Sequence, residues 1–204
     1  MNFDIAPELA PHLAVGIAFG AMWFLWVASW LAAALWATRA AKRPALKEET
    51  LYRLLTILGG VLMVVQFPRN GRPLLFWLPP LWFDWLLLVV ALAGLAFTWW
   101  ARIHLGTLWS ARVTRKDDHR IVDTGPYGLV RHPIYTGILV ALYATVLAFP
   151  GPFNLLGVIV LTISFVVKYR LEERFLMEEL GAEAYAGYRR RVPALVPFWS
   201  VNRG

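Results

Sequence analysis

Cysteine is absent from the 204-residue sequence, and charged residues make up only 16% of it. Without a thiol group, the chain can form no disulfide framework, no thiolate zinc site and no cysteine nucleophile. An ordinary soluble domain carries about 25% charged and about 45–50% apolar residues, whereas this chain is 59% hydrophobic. The composition therefore indicates an integral membrane protein, and no metal site is predicted.

Three uncharged or nearly uncharged runs are long enough to cross a bilayer. About 20 apolar residues span the hydrocarbon layer at about 1.5 Å per residue. We predict transmembrane helices over residues 9–38, 51–68 and 81–101. A cleaved signal peptide is the alternative for the first run, but Asp4 and Glu8 stand where a basic leader should be. The first run is therefore interpreted as a membrane span.

The third run contains one acidic residue, Asp84, close to its beginning. An ionisable side chain in the hydrocarbon layer is costly and often functional. Because Asp84 lies only one turn from the end of the run, we predict a solvated carboxylate at the membrane surface, without a functional role.

The fourth uncharged run, residues 132–167, is too long for one span. As a single helix it would measure about 54 Å, while the hydrocarbon layer is roughly 30 Å thick. The sequence Pro150-Gly151-Pro152 in its middle breaks helices. We therefore predict a tight helical hairpin of two short spans, which brings the number of transmembrane helices to about five.

Lysine and arginine are distributed unequally between the two sides that these spans define. Arg69 and Arg72 lie on the side of the N-terminus, and the other 18 of the 20 basic residues lie on the opposite side. Basic residues are enriched in cytoplasmic loops, so the N-terminus is predicted outside the cell (inner) membrane and the C-terminus in the cytoplasm. Topology and anionic membrane lipids then account for the net charge of +7, and no nucleic-acid partner is expected.

The chain is predicted to form a single all-α membrane-embedded domain over residues 1–204. It contains no internal repeat, low-complexity tract or long linker that would separate two domains. Residues 1–101 carry the three N-terminal spans. Residues 102–204 carry the hairpin, the cytoplasmic C-terminal helices and most of the polar residues that could perform chemistry.

Two groups of ionisable residues flank the predicted hairpin. Arg131 and His132, the basic pair, precede its first helix, and Glu172 and Glu173, the acidic pair, follow its second. Because the two helices of a hairpin are antiparallel, the two pairs are predicted to be neighbours. Adjacent residues point about 100° apart on a helix, so only one of the two carboxylates is expected to face inward fully.

The basic pair is predicted to lie at the N-terminus of a helix. Pro133 suits the first helical position, because its fixed φ is helical and the N–H that it lacks would be unpaired there anyway. The unpaired N–H groups and the positive dipole end of a helix N-terminus favour an anion. The alternatives are that Arg131 only contacts lipid headgroups and that His132 only caps the helix. Together with the acidic pair, this position could hold a zwitterionic ligand such as an amino acid moiety, and a dinucleotide would fit the same charges equally well.

The pattern around both pairs closely resembles the isoprenylcysteine carboxyl methyltransferase family, which is related to the phosphatidylethanolamine N-methyltransferases. The resemblance covers about the last 90 residues, and Leu180 departs from it where the family often has an aromatic residue. Its motifs are His119-x-x-Val122-x-x-Gly125-x-Tyr127-x-x-x-Arg131-His132-Pro133-x-Tyr135-x-Gly137 and Glu172-Glu173-x-x-Leu176-x-x-x-Leu180-Gly181-x-x-x-Tyr185-x-x-Tyr188.

The resemblance implies an S-adenosylmethionine-dependent methyltransferase with a cytoplasm-facing cofactor pocket. A lipophilic acceptor would enter from the bilayer and receive the methyl group on a carboxylate, as in isoprenylcysteine O-methylation, or on a lipid amine. Arg131 and Glu173 are the implied catalytic residues. The implied cofactor-binding residues are His119, Gly125, Tyr127, Arg131, His132, Tyr135, Glu172, Glu173, Tyr185 and Tyr188.

Two other functions are compatible with the sequence. One is an NADPH-dependent membrane reductase of the sterol-reductase type, whose C-terminal helices are similar, although no glycine-rich dinucleotide fingerprint is present. The other is a non-enzymatic membrane scaffold or transporter subunit. The sequence does not determine the oligomeric state, the acceptor or the residues of the acceptor pocket.

Overall fold

The computed structural model describes residues 10–34, 46–65, 74–106 and 121–198. Their regular secondary structure is entirely helical, which confirms the predicted all-α class for this part of the chain. The helices are α1 (Ala10–Ala34), α2 (Leu46–Val64), α3 (Leu81–Leu105), α4 (Pro126–Leu129), α5 (Pro133–Ala148), α6 (Pro152–Leu180) and α7 (Ala182–Arg191).

Three of the described helices, α1, α3 and α6, are long and apolar enough to cross a membrane. The helix α5 is apolar but has only 16 residues, and α2 carries Glu49 and Arg53 in its N-terminal half. The helices and the apolar composition make the chain an integral membrane protein. Within the described ranges, length and composition thus support three of the five predicted spans.

Two pairs of helices approach closely at glycine residues. A Cβ atom added to Gly94 of α3 would lie 2.7 Å from the carbonyl oxygen of Gly137 on α5. A Cβ atom on Gly157 of α6 would lie 3.0 Å from the carbonyl oxygen of Gly59 on α2. Small residues let helix backbones pack closely in a membrane, so these glycines determine how α3 meets α5 and how α2 meets α6.

The helix α1 packs on α3 through apolar and aromatic contacts. Val15 and Phe19 belong to the same buried cluster as Leu87 and Ala91 of α3. Further along, Trp26 Nε1 donates a hydrogen bond of 2.9 Å to Thr98 Oγ1. Since an unpaired indole N–H is costly in an apolar interior, this bond fixes the rotation of α1 against α3.

Asp84 is buried, contrary to the prediction of a solvated carboxylate. Its exposed fraction is 1%, and its Oδ2 lies 2.6 Å from Nδ1 of His12 in α1. The prediction was wrong because it considered only the position of Asp84 within its own helix. The partner is 72 residues away along the chain, and it approaches because α1 packs on α3.

The helices α5 and α6 run antiparallel and are connected by residues 149–151. Tyr143 near the end of α5 lies 3.1 Å from Thr162 of α6, measured between the hydroxyl oxygens. Tyr135 near the beginning of α5 contacts Glu172, ten residues further along α6. Pro152 occupies the first turn of α6, where the helix makes no hydrogen bond that would need the N–H that proline lacks. This arrangement brings the basic pair and the acidic pair to the same end of the two helices.

Candidate functional site

The turn before α4 is shaped by a glycine that packs on a histidine ring. Gly125 has a φ of +57° and precedes Pro126. A Cβ atom on Gly125 would come within 2.8–3.0 Å of three atoms of the His104 imidazole, and His104 Nε2 lies 2.9 Å from Thr124 Oγ1. Both the positive φ and the lack of room for a Cβ atom therefore favour glycine. Gly125 thus places the turn against the end of α3.

Tyr127 connects this turn to α7. Its carbonyl oxygen accepts a hydrogen bond of 2.7 Å from the Tyr188 hydroxyl, and its ring lies over the His104 ring at a centroid distance of 6.4 Å. Burial raises the pKa of both phenols above their ordinary value. Tyr188 is therefore protonated at neutral pH and can act as the donor in this bond.

The basic and acidic pairs meet, as the sequence predicted. Arg131 Nε donates a hydrogen bond of 2.8 Å to Glu173 Oε1, and His132 Nε2 lies 3.0 Å from the same oxygen. Arg189 of α7 lies 3.4 Å from the second oxygen, Oε2. Glu173 is only 4% exposed, so its buried charge is balanced by groups from α5 and α7.

The second carboxylate, Glu172, also faces α5. Its Oε1 accepts a hydrogen bond of 2.6 Å from the Tyr135 hydroxyl, and its Oε2 lies 3.7 Å from His132 Nδ1. The side chain of Glu172 is 20% exposed, against 5% for Glu173. Glu173 is thus the carboxylate that faces inward fully. Glu172 also contacts α5, because the long Tyr135 side chain extends to it.

The backbone N–H groups of Arg131 and His132, just before α5, are bonded to the C-terminal part of the chain. The backbone N–H of Arg131 donates to Pro193 O at 2.8 Å, and that of His132 donates to Ala194 O at 3.0 Å. Thr136 Oγ1 donates to Leu195 O at 2.7 Å. Residues 192–195, the C-terminal strap, supply the carbonyl oxygens that accept these hydrogen bonds. No local sequence signal at α5 predicts this long-range contact.

The Arg131 side chain is held by protein groups. Besides Glu173, its guanidinium donates to the carbonyl oxygens of Arg189 and Val192. These contacts argue against a role confined to lipid headgroups. His132 is the N-cap residue of α5, but its side chain makes no capping bond within the described residues and contacts Glu173 instead.

Aromatic rings surround the exposed side of the two pairs. The Tyr135 ring stacks on Phe165 at a centroid distance of 5.2 Å, and the His132 ring lies 5.0 Å from that of Tyr169. The sequence analysis did not identify Phe165 and Tyr169. Both precede the acidic pair on α6 at helical spacing, which is the signal that could have indicated them. Ring faces and carboxylates together favour a cationic group.

The remaining predicted residues are distributed around this centre. Tyr185 and Tyr188 are 3% and 4% exposed and pack together with a centroid distance of 5.9 Å. Burial raises the pKa of Tyr185 as well, so it remains a neutral phenol within the core between α7 and α6. His119 lies outside the described residues. The residues brought into direct contact are Arg131, His132, Tyr135, Glu172 and Glu173.

Comparison with known proteins gives a family and two informative relatives. A model described as the isoprenylcysteine carboxyl methyltransferase (ICMT) family matches residues 85–178. Methanethiol S-methyltransferase 2 of Bradyrhizobium diazoefficiens is 45% identical over 71 residues, which cover 35% of this chain and 26% of that protein. Protein-S-isoprenylcysteine O-methyltransferase B of Arabidopsis thaliana is 27% identical over 160 residues, which cover 74% of this chain and 75% of that protein.

A solved structure has a similar fold. The eukaryotic intramembrane Ras methyltransferase ICMT, determined without a monobody, shares 21% identity and a TM-score of 0.50, with 74% of this chain and 50% of that chain covered. Fold and site together define a helical membrane protein in which a basic pair and an acidic pair meet at one end of α5 and α6. Over residues 85–178 the chain is similar to the ICMT family, as the motifs in its C-terminal half predicted.

Proposed function

We propose that the protein is an S-adenosylmethionine-dependent methyltransferase that acts on a lipophilic acceptor at the cytoplasmic face of the cell membrane. The observation that carries this proposal is the contact of the basic pair with the acidic pair, beside stacked aromatic rings. The similarity to the family model over residues 85–178 and the names of the two relatives support a methyl transfer.

The residues present fit this cofactor. When bound, S-adenosylmethionine supplies a methyl group on a positively charged sulfur, and it also carries an ammonium group, a carboxylate and ribose hydroxyls. Glu172 can attract the cationic groups, and the rings of Tyr135 and Tyr169 can contact them through their faces. Of the ionisable side chains at the centre, Glu172 is more exposed than Glu173 and Arg131.

Arg131 and Glu173 are proposed to position this site. Arg131 bonds Glu173 and two carbonyl oxygens of α7 and the C-terminal strap, so it joins three segments into one structure. Glu173 in turn orients the His132 imidazole. Direct displacement at a methyl group requires alignment and exclusion of water rather than a covalent intermediate, so such positioning can supply most of the acceleration.

The acceptor is proposed to enter from the bilayer. The resemblance implies a carboxylate of isoprenylcysteine type or a lipid amine, and the Bradyrhizobium relative is named for a thiol substrate. A carboxylate is already ionised at neutral pH and needs no base, whereas a thiol or an ammonium group must first lose a proton. The chemistry of the acceptor therefore depends on whether the protein provides a base.

The proposal is tested with purified protein in lipid nanodiscs. We expect calorimetry to show binding of S-adenosylmethionine and no binding of NADPH. Incubation with S-adenosylmethionine carrying a labelled methyl group and membrane lipid extract should give a labelled lipophilic product, which mass spectrometry identifies. Binding of NADPH alone would indicate a reductase, and binding of neither cofactor would indicate a scaffold or a transporter subunit.

A further inference from the structure

Glu49 is a buried carboxylate outside the contacts of the basic and acidic pairs. It lies in the first turn of α2 and is 2% exposed. Its Oε2 accepts a hydrogen bond from Arg53, and its Oε1 has no hydrogen-bond partner within the described part of the chain. Leaving a buried acceptor without a donor is unfavourable, and more so when the acceptor is charged. The position therefore favours a ligand that brings a donor to Oε1.

Glu49 belongs to the face of α2 that packs on α6. Glu49, Tyr52 and Thr56 recur at spacings of three and four residues and share one face of the helix. Tyr52 packs in a buried cluster with Leu171, and Thr56 Oγ1 lies 2.7 Å from Ser164 Oγ. Because the two helices run antiparallel, Glu49 lies towards the end of α6 that carries the acidic pair.

Lys168 lies between the face of α2 that carries Glu49 and the proposed cofactor site. Its Nζ lies 5.6 Å from the centre of the Tyr52 ring on α2 and 5.2 Å from that of the Tyr135 ring on α5. It precedes Glu172, which accepts the Tyr135 hydrogen bond, by about one helical turn. Lys168 thus lies between α2 and α5, on the α6 surface that the two helices flank.

We propose that Glu49 and Lys168 form a nucleophile subsite that binds the reacting group of the methyl acceptor as a thiol. This inference rests on the proposed methyltransferase function and specifies its acceptor. Glu49 Oε1 accepts the thiol proton, and the Lys168 ammonium group stabilises the resulting thiolate. A neighbouring cation lowers the pKa of a thiol, and the thiolate is the nucleophilic form.

The atoms and electrons of the step balance without a further reagent. The S–H bond of the acceptor breaks, and its proton passes to the Glu49 carboxylate. A lone pair of the thiolate forms the new sulfur–methyl bond, while the old bond between the methyl group and the sulfonium breaks and leaves its electrons on the departing sulfur. The products are a methyl thioether and neutral S-adenosylhomocysteine, and Glu49 returns the proton to water.

The charges of this subsite disfavour the other two acceptors. A carboxylate acceptor would lie beside the Glu49 carboxylate, whose like charge repels it. An ammonium acceptor would lie beside Lys168 and near Arg53, which is also cationic. A thiol avoids both conflicts, because it arrives neutral, donates to Glu49 and becomes an anion only next to Lys168.

The first test compares three acceptors with the same alkyl chain: dodecanethiol, dodecanoate and dodecylamine. Methyl transfer is measured with labelled S-adenosylmethionine in nanodiscs. We expect kcat/KM for the thiol to exceed that for the other two by about 10²-fold, the lower end of the usual benefit of a positioned base. Equal or faster transfer to dodecanoate or dodecylamine would overturn the thiol subsite.

The second test replaces Glu49 by glutamine and follows the rate against pH. Glu49→Gln should lower kcat/KM for dodecanethiol by about 10²-fold at pH 7. The loss should shrink as the pH rises towards the pKa of free dodecanethiol, above which this thiol ionises unaided. Glu183→Gln is the matched control, since Glu183 lies exposed in the first turn of α7, and it should keep the wild-type profile. A loss independent of pH, or no loss, would overturn the role of Glu49.

A binding measurement without cofactor tests Lys168. An aromatic thiol whose thiolate absorbs in the near ultraviolet is titrated with pH in the presence of the protein. The apparent pKa of the bound thiol should be lower with wild type than with Lys168→Met, and equal values would contradict the subsite. Wild-type protein that binds S-adenosylmethionine but methylates only dodecanoate refutes the subsite alone, whereas protein that binds no S-adenosylmethionine refutes the proposed function.

Discussion

At the scale of single residues, Glu173 is the point where three segments of the chain meet. Its carboxylate contacts Arg131 and His132 at the beginning of α5 and Arg189 in α7. A buried charge is tolerated only when several donors surround it. Removing the charge therefore alters the electrostatics of the whole site, while an amide of the same shape retains most of the packing.

We predict that Glu173→Gln and Arg131→Ala each weaken S-adenosylmethionine binding by at least about tenfold, or about 1.4 kcal/mol, measured by calorimetry in detergent. Glu173→Gln should stay folded because it is isosteric. Arg131→Ala should also lower the melting temperature, because it leaves Glu173 with fewer donors. Glu178→Gln is the control, since Glu178 is exposed. Unchanged affinity in both variants would remove this ion pair from the cofactor site.

At the scale of elements, two glycine contacts hold the helices in register. Gly94 and Gly137 join α3 to α5, and Gly59 and Gly157 join α2 to α6. In each case a carbonyl oxygen of the neighbouring helix lies within 3.1 Å of the position that a Cβ atom would take, so the backbone itself limits the approach. Because α5 carries the basic pair and α6 the acidic pair, these contacts also determine the geometry of the site.

We predict that Gly94→Ala destabilises the protein by about 1–3 kcal/mol, the usual cost of overpacking. Its Cβ atom would lie 2.7 Å from a backbone oxygen of α5, which cannot move independently of its helix. Gly60→Ala is the control, because no heavy atom lies within 4 Å of its added Cβ, and alanine favours helix. Thermal unfolding in detergent measures both variants, and equal melting temperatures would show that the α3–α5 contact can relax.

The sequence predicted the elements that depend on local signals better than those that depend on distant contacts. Pro150-Gly151-Pro152 indicated the break between α5 and α6, and antiparallel packing then indicated the meeting of the basic and acidic pairs. The burial of Asp84 depends on His12, and the closed N–H groups before α5 depend on the C-terminal strap. No local pattern contains either contact, because each joins segments that are more than 60 residues apart.

At the scale of the whole molecule, the number of spans determines which side of the membrane carries the site. Among the residues that the structure describes, α1, α3 and α6 are the helices long and apolar enough to cross a membrane alone. If α5 also crosses, as the hairpin hypothesis requires, three spans separate residue 69 from residue 190. If α5 does not cross, only α3 and α6 separate the two residues, which then lie on the same side.

We predict that residues 69 and 190 lie on opposite sides, with residue 190 in the cytoplasm. Because the chain contains no cysteine, Arg69→Cys and Arg190→Cys each provide one thiol on an unlabelled background. A membrane-impermeant maleimide should label Arg69→Cys in intact cells and Arg190→Cys only after permeabilisation. Labelling of both variants in intact cells, or of neither, would refute five spans. Labelling of Arg190→Cys alone would still indicate an odd number of spans between the two residues, but with the reverse orientation. The basic and acidic pairs would then lie outside the cell, away from cytoplasmic S-adenosylmethionine.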